Sequence, residues 1–152
     1  MKYVDEVITY AEVPDEVSLC LSISGCTNHC PGCHSQYLWN DLGTELDEHS
    51  LKSMLSKYDE LTCVCFMGGD QYPEELNHLL NIVKDTGLKT ALYTGKKELS
   101  KNVDETLLDY VKIGPYIESL GPLDSPTTNQ ILYRNKDGKR FDFISRIWVN
   151  FD

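Results

Sequence analysis

The sequence predicts an α/β fold, an incomplete βα barrel of about five or six mostly parallel strands. Three observations carry that expectation. Short apolar or alternating runs recur along the chain and are separated by stretches with helical spacing, the pattern of parallel strands joined by right-handed crossovers. The 152 residues are too few for a complete eight-unit barrel, which takes about 250. Glycine- and cysteine-bearing turns follow three successive strands, at the ends where such folds bind ligands. No repeat, low-complexity tract or linker divides the chain, so residues 1–152 read as one domain.

Composition narrows the function. Hydrophobic residues make up 41% of the chain, enough for a sizeable core. The net charge of −10 and pI near 4.7 argue against direct nucleic-acid binding, which calls for a basic face. No apolar run reaches the roughly 18–20 residues needed to span a bilayer, so no membrane segment is expected. Cysteines without an export signal predict a reducing cytoplasm.

Residues 1–16 mix apolar and acidic types without a clear period, with a short edge strand expected at 7–10. Residues 17–24 alternate apolar and polar with period two and read as a strand. Cys20 lies within it, between Leu19 and Leu21, and reads as a small buried hydrophobe. The strand delivers Gly25 and the run Cys26-Thr-Asn-His-Cys30-Pro-Gly-Cys33, spaced Cys-x3-Cys-x2-Cys. Thiolates this close can converge on one soft metal centre. Three is an odd number for a disulfide framework. Structural zinc wants four ligands, so a zinc knuckle would need His29, His34 or a distant cysteine to complete it. A four-iron cluster on three cysteines keeps one iron free of protein ligand, which suits chemistry. Pro31 and Gly32 let the loop turn tightly around an inorganic group. The backbone of His34, directly after the third cysteine, passes beside any cofactor held there.

A short helical turn is expected before Trp39, which reads as a core or lid aromatic. Leu46, Leu51, Met54, Leu55 and Tyr58 fall at helical spacing, with Asp47 as N-cap and Ser50 following. Residues 61–67 read as a strand buried on both faces, with Cys63 and Cys65 pointing to one side as buried thiols. It ends at Gly68-Gly69-Asp70, whose backbone and carboxylate could hold an ammonium group. Residues 73–86 read as a helix, with Pro73 in the first turn, Glu74 and Glu75 at the positive end, and Gly87 as its stop. Residues 88–93 form the next strand, ending in Thr94-Gly95. Lys96, Lys97 and Lys101 read as a solvated face, with contact to a partner as the alternative. A short helix at 103–109, a strand at 110–114 and a loop at 114–126 follow. Asn129-Gln130 then precedes a strand at 131–134. Residues 134–146 make a modestly basic hairpin with Lys136-Asp137-Gly138 as its turn. Ile144, Ile147, Trp148 and Phe151 are expected to dock the tail, or to meet a partner.

The Cys-x3-Cys-x2-Cys loop resembles the signature of radical S-adenosylmethionine enzymes. The Cys-Pro-Gly-Cys variant with Trp39 is similar to the activating proteins of anaerobic, class III, ribonucleotide reductase. The resemblance implies a partial βα barrel and a [4Fe-4S] cluster on Cys26, Cys30 and Cys33. It implies S-adenosyl-L-methionine bound near Gly32, His34, Gly68, Gly69, Asp70 and Thr94, with Asn129 and Gln130 as weaker candidates. One-electron reduction then cleaves the sulfonium, and the 5′-deoxyadenosyl radical takes a hydrogen atom from a glycine of the partner. The implied partners are the large glycyl-radical subunit of that reductase and an electron donor such as flavodoxin. The cofactors carry this chemistry, so His29, His34, His49 and His78 are not read as a catalytic set. Two features differ from the family pattern. Gln71-Tyr72-Pro73 stands where proline often follows the acid directly, and residues 13–18 stand where a Gly-Pro-Gly type run with an arginine is common. The alternatives are a short enzyme of the same superfamily acting on a small molecule, of the deazapurine-synthase kind, and a non-catalytic metal-binding module.

Overall fold

The computed structural model describes residues 1–26 and 36–151. Nine strands form one mixed sheet: β1 (Lys2–Thr9), β2 (Ser18–Ile23), β3 (Thr44–Glu45), β4 (Cys63–Met67), β5 (Lys89–Tyr93), β6 (Tyr110–Ile113), β7 (Ile131–Arg134), β8 (Lys139–Asp142) and β9 (Ile147–Asn150). Their order is β3-β1-β2-β4-β5-β6-β7-β8-β9. The run β2, β4, β5 and β6 is parallel, and the strands on either side of it are antiparallel. Helix α1 (Glu48–Lys57) lies on the connection into β4, and α2 (Pro73–Asp85) on the one into β5.

Each helix begins as its sequence directs. The Asp47 carboxylate accepts from the Ser50 N–H at 2.8 Å, and the Asp47 N–H donates to the Ser50 hydroxyl at 2.9 Å. That reciprocal pair satisfies two donors at the start of α1. Pro73 opens α2, where a missing N–H is harmless, and Gly87 follows its end at φ +85°.

The register sorts side chains into two faces. Leu21, Phe66, Leu92 and Val111 form one row across the parallel strands. All four are fully buried and pack with Leu51 and Met54 of α1 and Leu76, Leu79, Leu80 and Val83 of α2. Truncating a buried aromatic such as Phe66 to alanine costs about 3–5 kcal/mol. On the helix-free face the matching row is Cys20, Cys65, Ala91 and Tyr110, with Cys63 one step below. Val13, Leu132 and Phe141 join this second cluster. Burial pushes the Cys63 thiol up to about 12. The Cys65 thiol is also raised, first by burial and then by the neighbouring Cys20. The three cysteines are thus buried thiols on one face, as their sequence context indicates.

Several elements differ from expectation. The strand expected at 7–10 is β1, eight residues long, and β3 pairs on its outer side. Its half-buried pattern hides the alternation that periodicity relies on. The helix expected at 103–109 is a single 3-10 turn at Glu105–Leu107, capped by the Asp104 side chain. Only a few residues separate that cap from β6, too few to nucleate an α-helix. The tail docks through Trp148, whose ring lies 5.1 Å from that of Phe141 and 5.7 Å from that of Tyr110. Phe151 meets Tyr133 edge-on at 6.1 Å. Ile144 and Ile147 remain 76% and 55% exposed and do not contribute to that docking. The nine strands among the described residues outnumber what periodicity reveals, because β3 has two residues and β8 and β9 have four each, too few to show a period.

Candidate functional site

All four parallel strands are followed within two residues by glycine: Gly25 after β2, Gly68 after β4, Gly95 after β5 and Gly114 after β6. Parallel strands bring these turns to one rim. Gly25, Gly68, Gly69 and Gly114 have φ of +77°, +94°, +103° and +107°. Side chains rarely adopt that region. A Cβ at Gly25 would stand 2.7 Å from the Tyr72 hydroxyl, and one at Gly114 would stand 3.1 Å from Cα of Gln130.

The cysteine loop leaves this rim from β2. The Gly25 N–H donates to the Asn40 carbonyl at 3.1 Å, and the Cys26 N–H to the Leu38 carbonyl at 2.8 Å. These bonds close the neck of the loop, with the 3-10 turn Gln36–Trp39 on its returning side. Cys26 is half-buried, and its thiol is free of any disulfide. Cys30, Cys33, Gly32 and His34, as well as His29, lie outside the described residues. Trp39 is half-buried beside the neck.

The glycine turn after β4 is tied to its neighbours on both sides. The Gly68 N–H donates to the Tyr93 carbonyl at 2.9 Å, and the Gly69 N–H to the Gln71 side-chain oxygen at 3.0 Å. The fold therefore uses both of these N–H groups. What the turn can offer a cationic ligand is acceptor oxygen, chiefly the Asp70 carboxylate. Asp70 is 6% exposed. It accepts from the Thr94 hydroxyl at 2.8 Å, and the Lys96 ammonium lies 3.5 Å away. A carboxylate this buried needs such partners to offset its loss of water. Gly68, Gly69, Asp70 and Thr94 thus come together as one cluster. The Lys96 ammonium is the cation that faces that carboxylate.

Farther along the rim, the Gln130 side chain donates to the Gly114 carbonyl at 3.3 Å, and that of Asn129 to the Pro115 carbonyl at 3.1 Å. The side-chain oxygen of Asn129 is buried without a hydrogen-bond partner among the described residues. Sequence reasoning missed Lys96 and Gln71. Lys96 was readable only as part of a basic surface run. Gln71 stood in the noted departure after Asp70, where its type gave no reason to single it out.

The donor set fits an iron–sulfur group. A soft thiolate stands at the neck of a loop bearing two more, and none of the described residues forms another group of three His, Cys, Asp or Glu side chains able to hold a metal ion. The comparison with known families agrees. Residues 16–124 match the family described as a 4Fe-4S single cluster domain. The match takes in the three-cysteine loop, Gly68-Gly69-Asp70 and Thr94. The chain belongs to this family and is an iron–sulfur protein. Neither a curated protein nor a solved structure matches it. Among the described residues, no helix is long and apolar enough to cross a membrane.

Proposed function

We propose that this iron–sulfur protein is a radical S-adenosylmethionine activase that generates a glycyl radical on an anaerobic ribonucleotide reductase. The observation that carries the reading is the convergence on one rim of the neck of the cysteine loop, the glycine turn and the Asp70–Thr94 pair. Cys26, Cys30 and Cys33 would hold a [4Fe-4S] cluster with one iron left for S-adenosyl-L-methionine. When bound, the two groups supply one-electron reductive cleavage of the sulfonium and hydrogen-atom abstraction from a glycine Cα.

The chain's own residues bind and orient. The Asp70 carboxylate accepts the α-ammonium of the ligand, taking it in exchange for Lys96, while the Thr94 hydroxyl holds the carboxylate in place. Gly68 and Gly69 keep side chains out of the ligand's path. By the resemblance, Gly32 and His34, which lie outside the described residues, would belong to the ligand's site, and Trp39 would help exclude water. The four adjacent parallel strands with both helices on one face support a partial βα barrel. A large partner would reach the ligand at the rim, with a reductant such as flavodoxin supplying the electron.

The test is anaerobic reconstitution with iron and sulfide, followed by reduction in the presence of S-adenosylmethionine. 5′-Deoxyadenosine should form, should increase with the candidate reductase present, and should be absent from Cys30→Ala. Turnover of a small molecule without the partner would move the chain to another branch of the superfamily. No cleavage by a fully loaded protein would reject the enzyme reading.

A further inference from the structure

We infer that Gln71 is a positioning residue that mechanically couples the cysteine loop to the Gly68-Gly69-Asp70 turn. The inference deepens the reading above and rests on it for the identity of the ligand. A side-chain amide has two N–H donors and one carbonyl. Gln71 spends its donors on two consecutive carbonyls, those of Ser24 at 3.1 Å and Gly25 at 3.0 Å, immediately before Cys26. Its oxygen takes the Gly69 N–H at 3.0 Å. One planar group thus joins the backbone entering the cysteine loop to the backbone of the glycine turn.

The neighbouring residue stiffens the same joint. The Tyr72 N–H donates to the Gly69 carbonyl at 3.0 Å, and the Tyr72 carbonyl receives the Leu76 N–H at 2.9 Å in α2. The Tyr72 hydroxyl lies where a Cβ on Gly25 would fall, 2.7 Å away. The start of α2, the glycine turn and the neck of the cysteine loop therefore form one hydrogen-bonded unit. Proline at position 71 could make none of the side-chain bonds. In this chain the departure after Asp70 creates a direct link between the place of the cluster and the place of the ligand's ammonium. Filling the loop should then order the turn, and ordering the turn should favour the ligand.

Gln71→Met keeps the length of the side chain and removes all three bonds. Gln71→Glu keeps an acceptor for Gly69 but turns a carboxylate toward two carbonyls. The experiment compares hydrogen exchange in the segment Met67 to Asp70, with and without cluster, in the parent and both variants, alongside iron content and melting temperature. In the parent, loading the cluster should slow exchange there about tenfold. In Gln71→Met the slowing should fall below about twofold at equal iron content. Gln71→Glu should behave similarly. S-adenosylmethionine binding to the loaded Gln71→Met protein should be about tenfold weaker, the loss expected for the hydrogen bonds removed. Cluster-dependent slowing that survives in Gln71→Met, or is missing from the parent, overturns the coupling. A parent that shows the slowing but binds no S-adenosylmethionine leaves the coupling standing and rejects the activase reading instead. A Gln71→Met protein that loses iron and melting temperature together would make Gln71 structural only.

Discussion

Glu16 and Asp70 are both 6% exposed, and they sit at opposite ends of the same parallel strands. Glu16 accepts from the Tyr110 hydroxyl at 2.6 Å and from the Lys89 ammonium at 3.0 Å, with both donors at the first residues of their strands. Around it the chain turns back at residues 13–16, closed by the Glu16 N–H on the Val13 carbonyl at 3.2 Å. Val13 is fully buried, and the Tyr93 hydroxyl donates to the Glu12 carbonyl at 2.5 Å. Asp109 is tied in similarly, to Lys84 at 2.8 Å and the Thr90 N–H at 2.9 Å. No glycine occurs between residues 10 and 18. Asp70, at the other rim, is ringed by glycine turns, and its lysine partner is 41% exposed against 54% for the Lys89 that pairs with Glu16. One rim is sealed by side chains that complete each other's bonds. The other is built of bare backbone around a carboxylate. Burial and the kind of partner, one hydroxyl and one lysine, are alike at the two carboxylates; the backbone around them is what differs.

The sharpest way to break that contrast is to neutralise each carboxylate. Asp70→Asn keeps an acceptor for Thr94 but loses the charge. It should reduce S-adenosylmethionine binding and 5′-deoxyadenosine formation about 100-fold, the size of a lost charge-assisted contact. Calorimetric titration and product analysis on the loaded protein would read both, and undiminished binding would remove Asp70 from the site. Glu16→Gln should do the reverse. Its cost is about 2 kcal/mol of stability in urea unfolding, with product formation per folded molecule unchanged.

Gly25→Ala probes the bare backbone itself. A left-handed φ and the Tyr72 contact should cost about 1–2 kcal/mol and lower iron incorporation. Adding Tyr72→Phe should relieve the contact and leave the backbone strain, so partial recovery is expected.

The sealed side also predicts a response to alkali. The folded protein holds the Cys63 thiol protonated up to about 12, against an ordinary value of 9.0. Above pH 9 the unfolded chain loses that proton and the folded chain keeps it. The contribution is thus fully present below 9 and is lost as pH rises through the folded value. Stability of the reduced protein should fall by up to about 1.4 kcal/mol per pH unit for this group. The slope should be shallower in Cys63→Ala. Equal slopes would place the titration elsewhere.

The smallest effect is expected from Lys96→Met. Removing the facing cation should tighten S-adenosylmethionine binding about three- to fivefold, because the ligand no longer competes with a partly exposed lysine. Weaker binding would mean that Lys96 contacts the ligand instead.

Much of this was legible in the residues themselves. The cysteine spacing marked the iron–sulfur loop, Asp47 and Ser50 marked the start of α1, and Pro73 and Gly87 bracketed α2. Such signals act within a few residues, so composition and spacing suffice to read them. The grouping of Gly68, Gly69, Asp70 and Thr94 also followed from strands alternating with helices. Two strand-end turns must meet when their strands run parallel and adjacent.

The partners of the buried polar groups were not legible. Glu16 meets residues 73 and 94 positions away, and Gln71 reaches back 46 and 47 positions to the neck of the cysteine loop. Nothing local distinguishes that glutamine or that glutamate from a solvated one. Each takes its role because folding removes it from water and leaves it only those donors and acceptors that the sheet register has brought alongside. Local chemistry determined which segments form and where sulfur is concentrated. The tertiary structure decided which polar groups face one another, because that depends on strand order and register.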